Sequence, residues 1–202
     1  MTLDRLRPLA SRALGPFVGA ADAVGLTPNG VSVIAFGVAV LAGGAFYLAT
    51  SLAYVVGAVC VFLNGWLDLV DGALAREQGV ASDAGDFLDH VLDRYADIVI
   101  IAGLAAGVGR YGLGFAAVTG VVMTSYLGTQ IQAVGLGRAY GGLVGRADRL
   151  ALMGLTAVVA AAVPGPVVSG LSAVALLLAF FAVVGHLTAL QRFWGAWSDL
   201  TG

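Results

Sequence analysis

Residues 23–67 read AVGLTPNGVSVIAFGVAVLAGGAFYLATSLAYVVGAVCVFLNGWL, a run without a single Asp, Glu, Lys or Arg. A bilayer's hydrocarbon core takes about 20 apolar residues per helical pass. The run is therefore long enough for two passes joined by a turn. Two more charge-free runs follow, at 111–137 and 150–191. The whole chain has 202 residues, 59% of them hydrophobic and 11% charged, where a soluble domain carries roughly a quarter charged. It lacks the polar surface to face water on all sides. Its solvent is lipid, and the expected fold class is an all-α integral membrane protein.

Spans are expected at 29–49, 52–74, 86–107, 112–134, 146–163 and 167–190. Gly43-Gly44, Gly107 with Gly109, and Pro164-Gly165-Pro166 are read as the breaks. Thr27-Pro28-Asn29 opens the first span, with Pro suited to a first helical turn. Ahead of it, Arg5, Arg7 and Arg12 alternate with Leu3, Leu6, Leu14, Phe17 and Val18, which predicts an amphipathic helix on the membrane surface. Six passes put both termini on one side. The excess of Arg in cytoplasmic segments then selects N-in, C-in, with only Arg110 outside and Arg94 within the third span. One domain is expected over 1–202, comprising a juxtamembrane helix (1–22), a six-helix bundle (29–190) and a cytoplasmic tail (191–202). The N-terminus has no apolar core of a cleavable signal peptide, so the spans themselves insert the chain in the cell membrane. A lone Cys60 excludes a disulfide framework or a Cys-based metal site. Nothing in the pattern suits nucleic acid.

Net charge is −2, but eight of the twelve acidic residues fall in DLVDGALAREQGVASDAGDFLDHVLDRYAD, residues 68–97. Asp68 and Asp71 are three apart and share a helix face; Asp89 and Asp93 are four apart and share another. The loop from Glu77 to Ala84 turns the chain so that both pairs lie at one depth, at the cytoplasmic surface. Four carboxylates brought together need protonation, arginine partners such as Arg76 and Arg94, or a cation. Carboxylate oxygens with no Cys, and with His90 pointing elsewhere, suit a hard ion such as Mg²⁺ or Mn²⁺. Mg²⁺ is commonly shared between a few carboxylates and a substrate phosphate, which points to a phosphate-bearing substrate.

The pattern Asp68-x2-Asp71-Gly72-x2-Ala75-Arg76-x8-Gly85-x3-Asp89-x3-Asp93 resembles, position for position, the signature of the CDP-alcohol phosphotransferase family. The resemblance implies phospholipid biosynthesis at the membrane. Two metal ions (Mg²⁺ or Mn²⁺) would be held by Asp68, Asp71, Asp89 and Asp93. The donor would be a CDP-lipid, CDP-diacylglycerol or CDP-archaeol, bound by Asn29, Asp68, Asp71, Gly72, Ala75, Arg76 and Gly85. Asp93 would act as general base on a small polar alcohol, with CMP released. Homodimerisation is expected on the same ground.

For the acceptor, Asp93-Arg94-Tyr95-Ala96-Asp97 and Gly145-Arg146-Ala147-Asp148-Arg149-Leu150 resemble stretches of the inositol-phosphate-using members, the phosphatidylinositol phosphate and archaetidylinositol phosphate synthases. A phosphorylated acceptor needs cations, and Arg138, Arg146, Arg149 and Arg192 are the candidates, with Gln130 as a hydroxyl partner. Ser125 to Gly135 departs from those members: Gly128 and Gln130 stand at basic positions and Gln132 at an acidic one. Inositol phosphate is preferred, then glycerol phosphate or serine. An intramembrane prenyltransferase, faintly echoed by Asn64-x3-Asp68, has no use for Gly72, Ala75, Arg76 and Gly85 at these intervals. A cation transporter would place acids near the bilayer midplane rather than at one end.

Overall fold

The structure, a computed structural model, describes residues 7–137 and 144–202, and side chains from Ala13 onward in its first helix. Seven helices are present among the described residues: α1 (Arg7–Ala23), α2 (Pro28–Leu48), α3 (Ser51–Glu77), α4 (Asp83–Gly107), α5 (Tyr111–Ala133), α6 (Arg146–Ala162) and α7 (Ala173–Thr201). Four of them, α2, α3, α5 and α7, are long and apolar enough to cross a membrane. The acidic α4 and the 17-residue α6 fill out the bundle.

Local chemistry sets the helix starts. Thr27 accepts a hydrogen bond from the Gly30 N–H with Pro28 in the first turn, and Thr50, Ser82 and Ser172 cap α3, α4 and α7 in the same way. Each cap satisfies a backbone donor that the helix itself leaves unpaired. Two expectations are corrected. The first span does not break at Gly43-Gly44; α2 runs through to Leu48 and turns at Ala49, which adopts φ 50°. Gly43 instead lies where a Cβ would meet the Val99 carbonyl oxygen at 2.7 Å, and a Cβ on Gly103 would fall 2.2 Å from the Gly43 carbonyl oxygen. These glycines set the α2–α4 contact, as small residues do where helix backbones approach closely. The last span begins at Ala173 rather than 167, because 166–172 form a short antiparallel hairpin, β1 (Pro166–Val168) with β2 (Leu171–Ser172). Residues 191–202, expected as a cytoplasmic tail, continue α7 as helix to Thr201.

Contacts between helices fix the directions. Gly43 with Gly103 and Phe46 with Gly107 make α2 and α4 run parallel. Gly120 with Gly185 and Gly128 with Arg192 do the same for α5 and α7, whereas Gly65 with Leu150 and Gly154 with Val61 make α3 and α6 antiparallel. The N-termini of α2, α4 and α6 therefore gather at one end with the C-termini of α3, α5 and α7. Arg76, Arg94, Arg146, Arg149 and Arg192 all belong to this end, while Arg110 starts α5 at the other. The main core, including Phe46, Ile100, Leu104, Met153 and Leu178, fills the bundle. A smaller cluster docks α1: Leu14, Val18 and Ala21, on one helical face, pack against Val31, Val70 and Leu74.

Candidate active site

The α3 segment that carries Asp68 and Asp71 ends beside the start of α4, and only the 78–82 turn separates them. Carboxylate oxygens of Asp68, Asp71 and Asp89 consequently lie within 4.8 Å of one another. Asp71 is buried; the other two are half-buried. Three hard oxygen donors converging from two helices fit a divalent cation, and no softer ligand intrudes. The half-buried Asp93 is engaged differently. Its Oδ1 receives Arg146 Nη2 at 2.6 Å, while Arg146 Nη1 reaches Asp68 Oδ1 at 2.8 Å. Arg94 stands 3.6 Å from Asp93 Oδ2.

Arg146 is thus the cation that binds the acidic cluster, from the first residue of α6. Of the two arginines singled out in sequence as neutralising partners, Arg94 touches the cluster's edge. Arg76 is exposed and lies beside Gly72, where a Cβ would sit 3.5 Å from its Nη1. Arg149, three residues after Arg146, does not share its position. It is 6% exposed and donates to Asp97 Oδ2 at 2.9 Å, with Asp97 fully buried one turn beyond Asp93 on α4. Arg192 lies along α5, its Nη1 donating to the Thr124 carbonyl. Gln130 is exposed near the end of α5. Arg138 lies outside the described residues.

A cavity of about 310 Å³ opens next to the three acids, bounded by Asn29, Ser32, Asp71, Gly72, Ala75, Gly85 and Asp89 among others. Asn29, Gly72, Ala75 and Gly85, which the sequence associates with one another only through the family resemblance, therefore share one wall system. The first turns of α2 and α4 border it, and helix N-termini favour anions. On the other side of Asp68 and Arg146 a second, larger groove of about 550 Å³ runs between α3 and α6. It is apolar along Val61, Phe62, Trp66, Leu150 and Leu155, and Gly65 and Gly154 contribute to its lining. A polar cavity and an apolar groove thus meet at the carboxylates.

Three contributors carried no sequence signal as site residues. Ser32 Oγ donates to Asp71 Oδ2 at 2.7 Å. Asn64, one turn before Asp68, is 1% exposed; its Nδ2 donates to the Ala35 carbonyl at 3.0 Å and its Oδ1 faces Arg146 Nη2 at 3.5 Å. Gln78 ties the cavity's α3 edge to the α1–α2 turn, donating to Asp22 Oδ1 at 2.8 Å and to the Leu26 carbonyl at 3.2 Å. All three act across helices that sequence spacing does not relate. Of the two histidines, His90 Nδ1 pairs with the Asp86 carbonyl at 2.7 Å and His186 Nε2 lies 3.3 Å from Thr119 Oγ1.

Both the sequence and the fold resemble those of known proteins. The family described as CDP-alcohol phosphatidyltransferase matches residues 25–198. An archaetidylinositol phosphate synthase of Methanothermobacter thermautotrophicus is 31% identical over 200 residues, covering 98% of this chain and 95% of its own. One from Pyrococcus horikoshii is 28% identical over 152 residues, 75% of this chain and 79% of its own. Among solved structures, the phosphatidylinositol phosphate synthase of Mycobacterium tuberculosis with CDP-DAG bound superposes with a TM-score of 0.78 at 26% identity, covering 92% of this chain and 94% of that one. The same enzyme in complex with manganese and citrate gives a TM-score of 0.79 at 26% identity, covering 91% and 88%.

Proposed function

This chain belongs to the CDP-alcohol phosphatidyltransferase family and is a phosphotransferase of phospholipid biosynthesis; from that premise we propose that it transfers a lipid phosphate group from a CDP-lipid to inositol phosphate. The observation that carries the reading is the meeting, at Asp68, Asp71 and Asp89, of a polar cavity sized for a nucleotide head and an apolar groove suited to a lipid chain. A CDP-lipid has that division within one molecule, with its diphosphate at the junction.

In this reading Asp68, Asp71 and Asp89, with Asp93 adjoining, hold two divalent ions, Mg²⁺ or Mn²⁺. Such ions supply charge neutralisation to the diphosphate and to the departing CMP. Asn29, Gly72, Ala75, Arg76 and Gly85 receive the nucleotide. Asp93 takes the proton of the acceptor hydroxyl as the acceptor oxygen bonds to the lipid-linked phosphorus and the bond to CMP breaks. Its Oδ2 is the less engaged oxygen, because Oδ1 is held by Arg146. Arg146 and Arg192, with Arg149 behind them, supply guanidinium groups at this end of the bundle for a phosphorylated acceptor; Gln130 lies near the end of α5, and Arg138, outside the described residues, is the remaining candidate. The donor is CDP-diacylglycerol or CDP-archaeol, since both present the same diphosphate.

Six passes, α2 to α7, with both termini and the acids on the cytoplasmic side of the cell membrane, accord with the gathering of Arg76, Arg94, Arg146, Arg149 and Arg192 at one end and Arg110 at the other. A homodimer is part of the same proposal. The decisive experiment supplies labelled CDP-lipid with inositol phosphate, glycerol phosphate or serine, each with and without Mg²⁺, and identifies the lipid product. Product with inositol phosphate alone is expected. Efficient product with serine would overturn the acceptor, and no CMP release with any acceptor would overturn the reaction.

A further inference from the structure

Ser32 stands outside the acidic motif and has no role in the transfer as written, yet it is 6% exposed and bonded to the most buried of the three clustered acids. Its hydroxyl oxygen lies 2.7 Å from Asp71 Oδ2 and 3.2 Å from the Pro28 carbonyl oxygen. A hydroxyl has one proton. The shorter contact, to a carboxylate, takes it, and the longer one is the ordinary approach of a helical serine to the carbonyl one turn back.

Two consequences follow for Asp71. With Oδ2 bonded to Ser32, rotation of the carboxylate plane about its last torsion is restrained, and Oδ1 does not take part in that bond. The bond also crosses from α2 to α3, so the position of Asp71 is tied to the helix whose first turn bears Asn29. Because Asp71 is itself only 6% exposed, water has little access to replace a lost donor. We infer that Ser32 is a positioning residue for Asp71, holding its carboxylate in the orientation from which Asp68, Asp71 and Asp89 together take a divalent cation. This rests on the metal-binding reading of those acids. Hydrogen-bond partners of ligating carboxylates typically contribute about 10–100-fold in metal affinity.

The test is direct Mn²⁺ binding to the purified full chain, followed by electron paramagnetic resonance without substrate, for wild type, Ser32→Thr, Ser32→Val and Asp71→Ala. Thr and Val differ little in shape, but only Thr keeps the hydroxyl. Ser32→Val is expected to weaken Mn²⁺ binding by about 10–100-fold, and Ser32→Thr to remain close to wild type. In turnover assays Ser32→Val should need more metal and recover most of kcat when metal saturates, with the KM for CDP-lipid compared at that saturating metal concentration. Ser32→Ala serves the same comparison if Ser32→Val does not fold. Unchanged Mn²⁺ affinity in the variant without the hydroxyl overturns the inference. So does a raised CDP-lipid KM at unchanged metal affinity, which would make Ser32 a substrate contact. If Asp71→Ala binds Mn²⁺ as wild type does, the metal reading itself fails; if Asp71→Ala is weak and Ser32→Val is normal, only the role of Ser32 fails.

Discussion

Replacing Arg149 with alanine separates two roles that one arginine can play at this end of the bundle. Its guanidinium is 6% exposed and 2.9 Å from the carboxylate of Asp97, which has no exposure at all. At a charge separation of about 4 Å and an effective dielectric of about 20, the attraction is about 4 kcal/mol. Removing only the cation strands Asp97 in the core, and breaking buried pairs in this way costs about 3–5 kcal/mol. In a chain of this size that lowers the melting temperature by about 6–20 °C. Adding Asp97→Asn to Arg149→Ala removes the stranded charge and should recover a substantial part of the loss. Because Asp97 lies one turn beyond Asp93 on α4, kcat should fall in the single variant even when the folded fraction is matched. The assay is thermal unfolding in detergent, followed by tryptophan fluorescence, paired with acceptor kinetics at low temperature. An Arg149→Ala protein that melts like wild type and differs only in a raised acceptor KM would refute the structural role and assign Arg149 to the acceptor.

Gly103→Ala places a Cβ 2.2 Å from the Gly43 carbonyl oxygen, a backbone atom that cannot rotate away; overpacking of this kind costs about 1–3 kcal/mol, and a melting curve with activity alongside checks it. Asp93→Asn should abolish transfer while leaving CDP-lipid binding largely intact, which equilibrium binding of labelled CDP-lipid would show; near-normal turnover would remove Asp93 as the base. Arg146→Ala should raise the KM for inositol phosphate and, by freeing Asp68 and Asp93 of their partner, also change the metal dependence. A variant altered in neither would disconnect Arg146 from the site.

How much of this was legible beforehand depended on the distance over which each signal acts. The acids at 68, 71, 89 and 93 follow helical spacing and the turn between α3 and α4 is short, so the convergence of Asp68, Asp71 and Asp89 could be read from the sequence, whereas the pairing of Asp93 with Arg146 could not. The charge-free runs similarly announced the long apolar helices. Position along the chain was less informative where the cause was a contact. Gly43-Gly44 reads as a break by composition, but Gly43 packs on α4 and the helix continues. The segment after Pro166 reads as helix by hydropathy, whereas a hairpin and the Ser172 cap delay the start of α7. Ser32, Asn64 and Gln78 meet their partners across helices far apart in sequence, and no periodicity relates them. Arg146 was singled out for the acceptor on local sequence alone; its bond to Asp68 required the antiparallel packing of α6 on α3.

That packing also bears on the acceptor. Arg146 is committed to Asp68 and Asp93, and Arg149 to Asp97, so neither guanidinium meets an acceptor phosphate without giving up a carboxylate. Arg192 is engaged as well. It comes from α7, donates to a backbone carbonyl rather than a carboxylate in that contact, and lies over α5 at Gly128, where a Cβ would be 2.7 Å from its Nη1. Gly128 is the position at which the resemblance to inositol-phosphate-using members lapses for want of a basic side chain. The missing side chain leaves room, and a cation from the neighbouring helix occupies it. A guanidinium absent from the α5 sequence is therefore supplied to the α5 surface by α7.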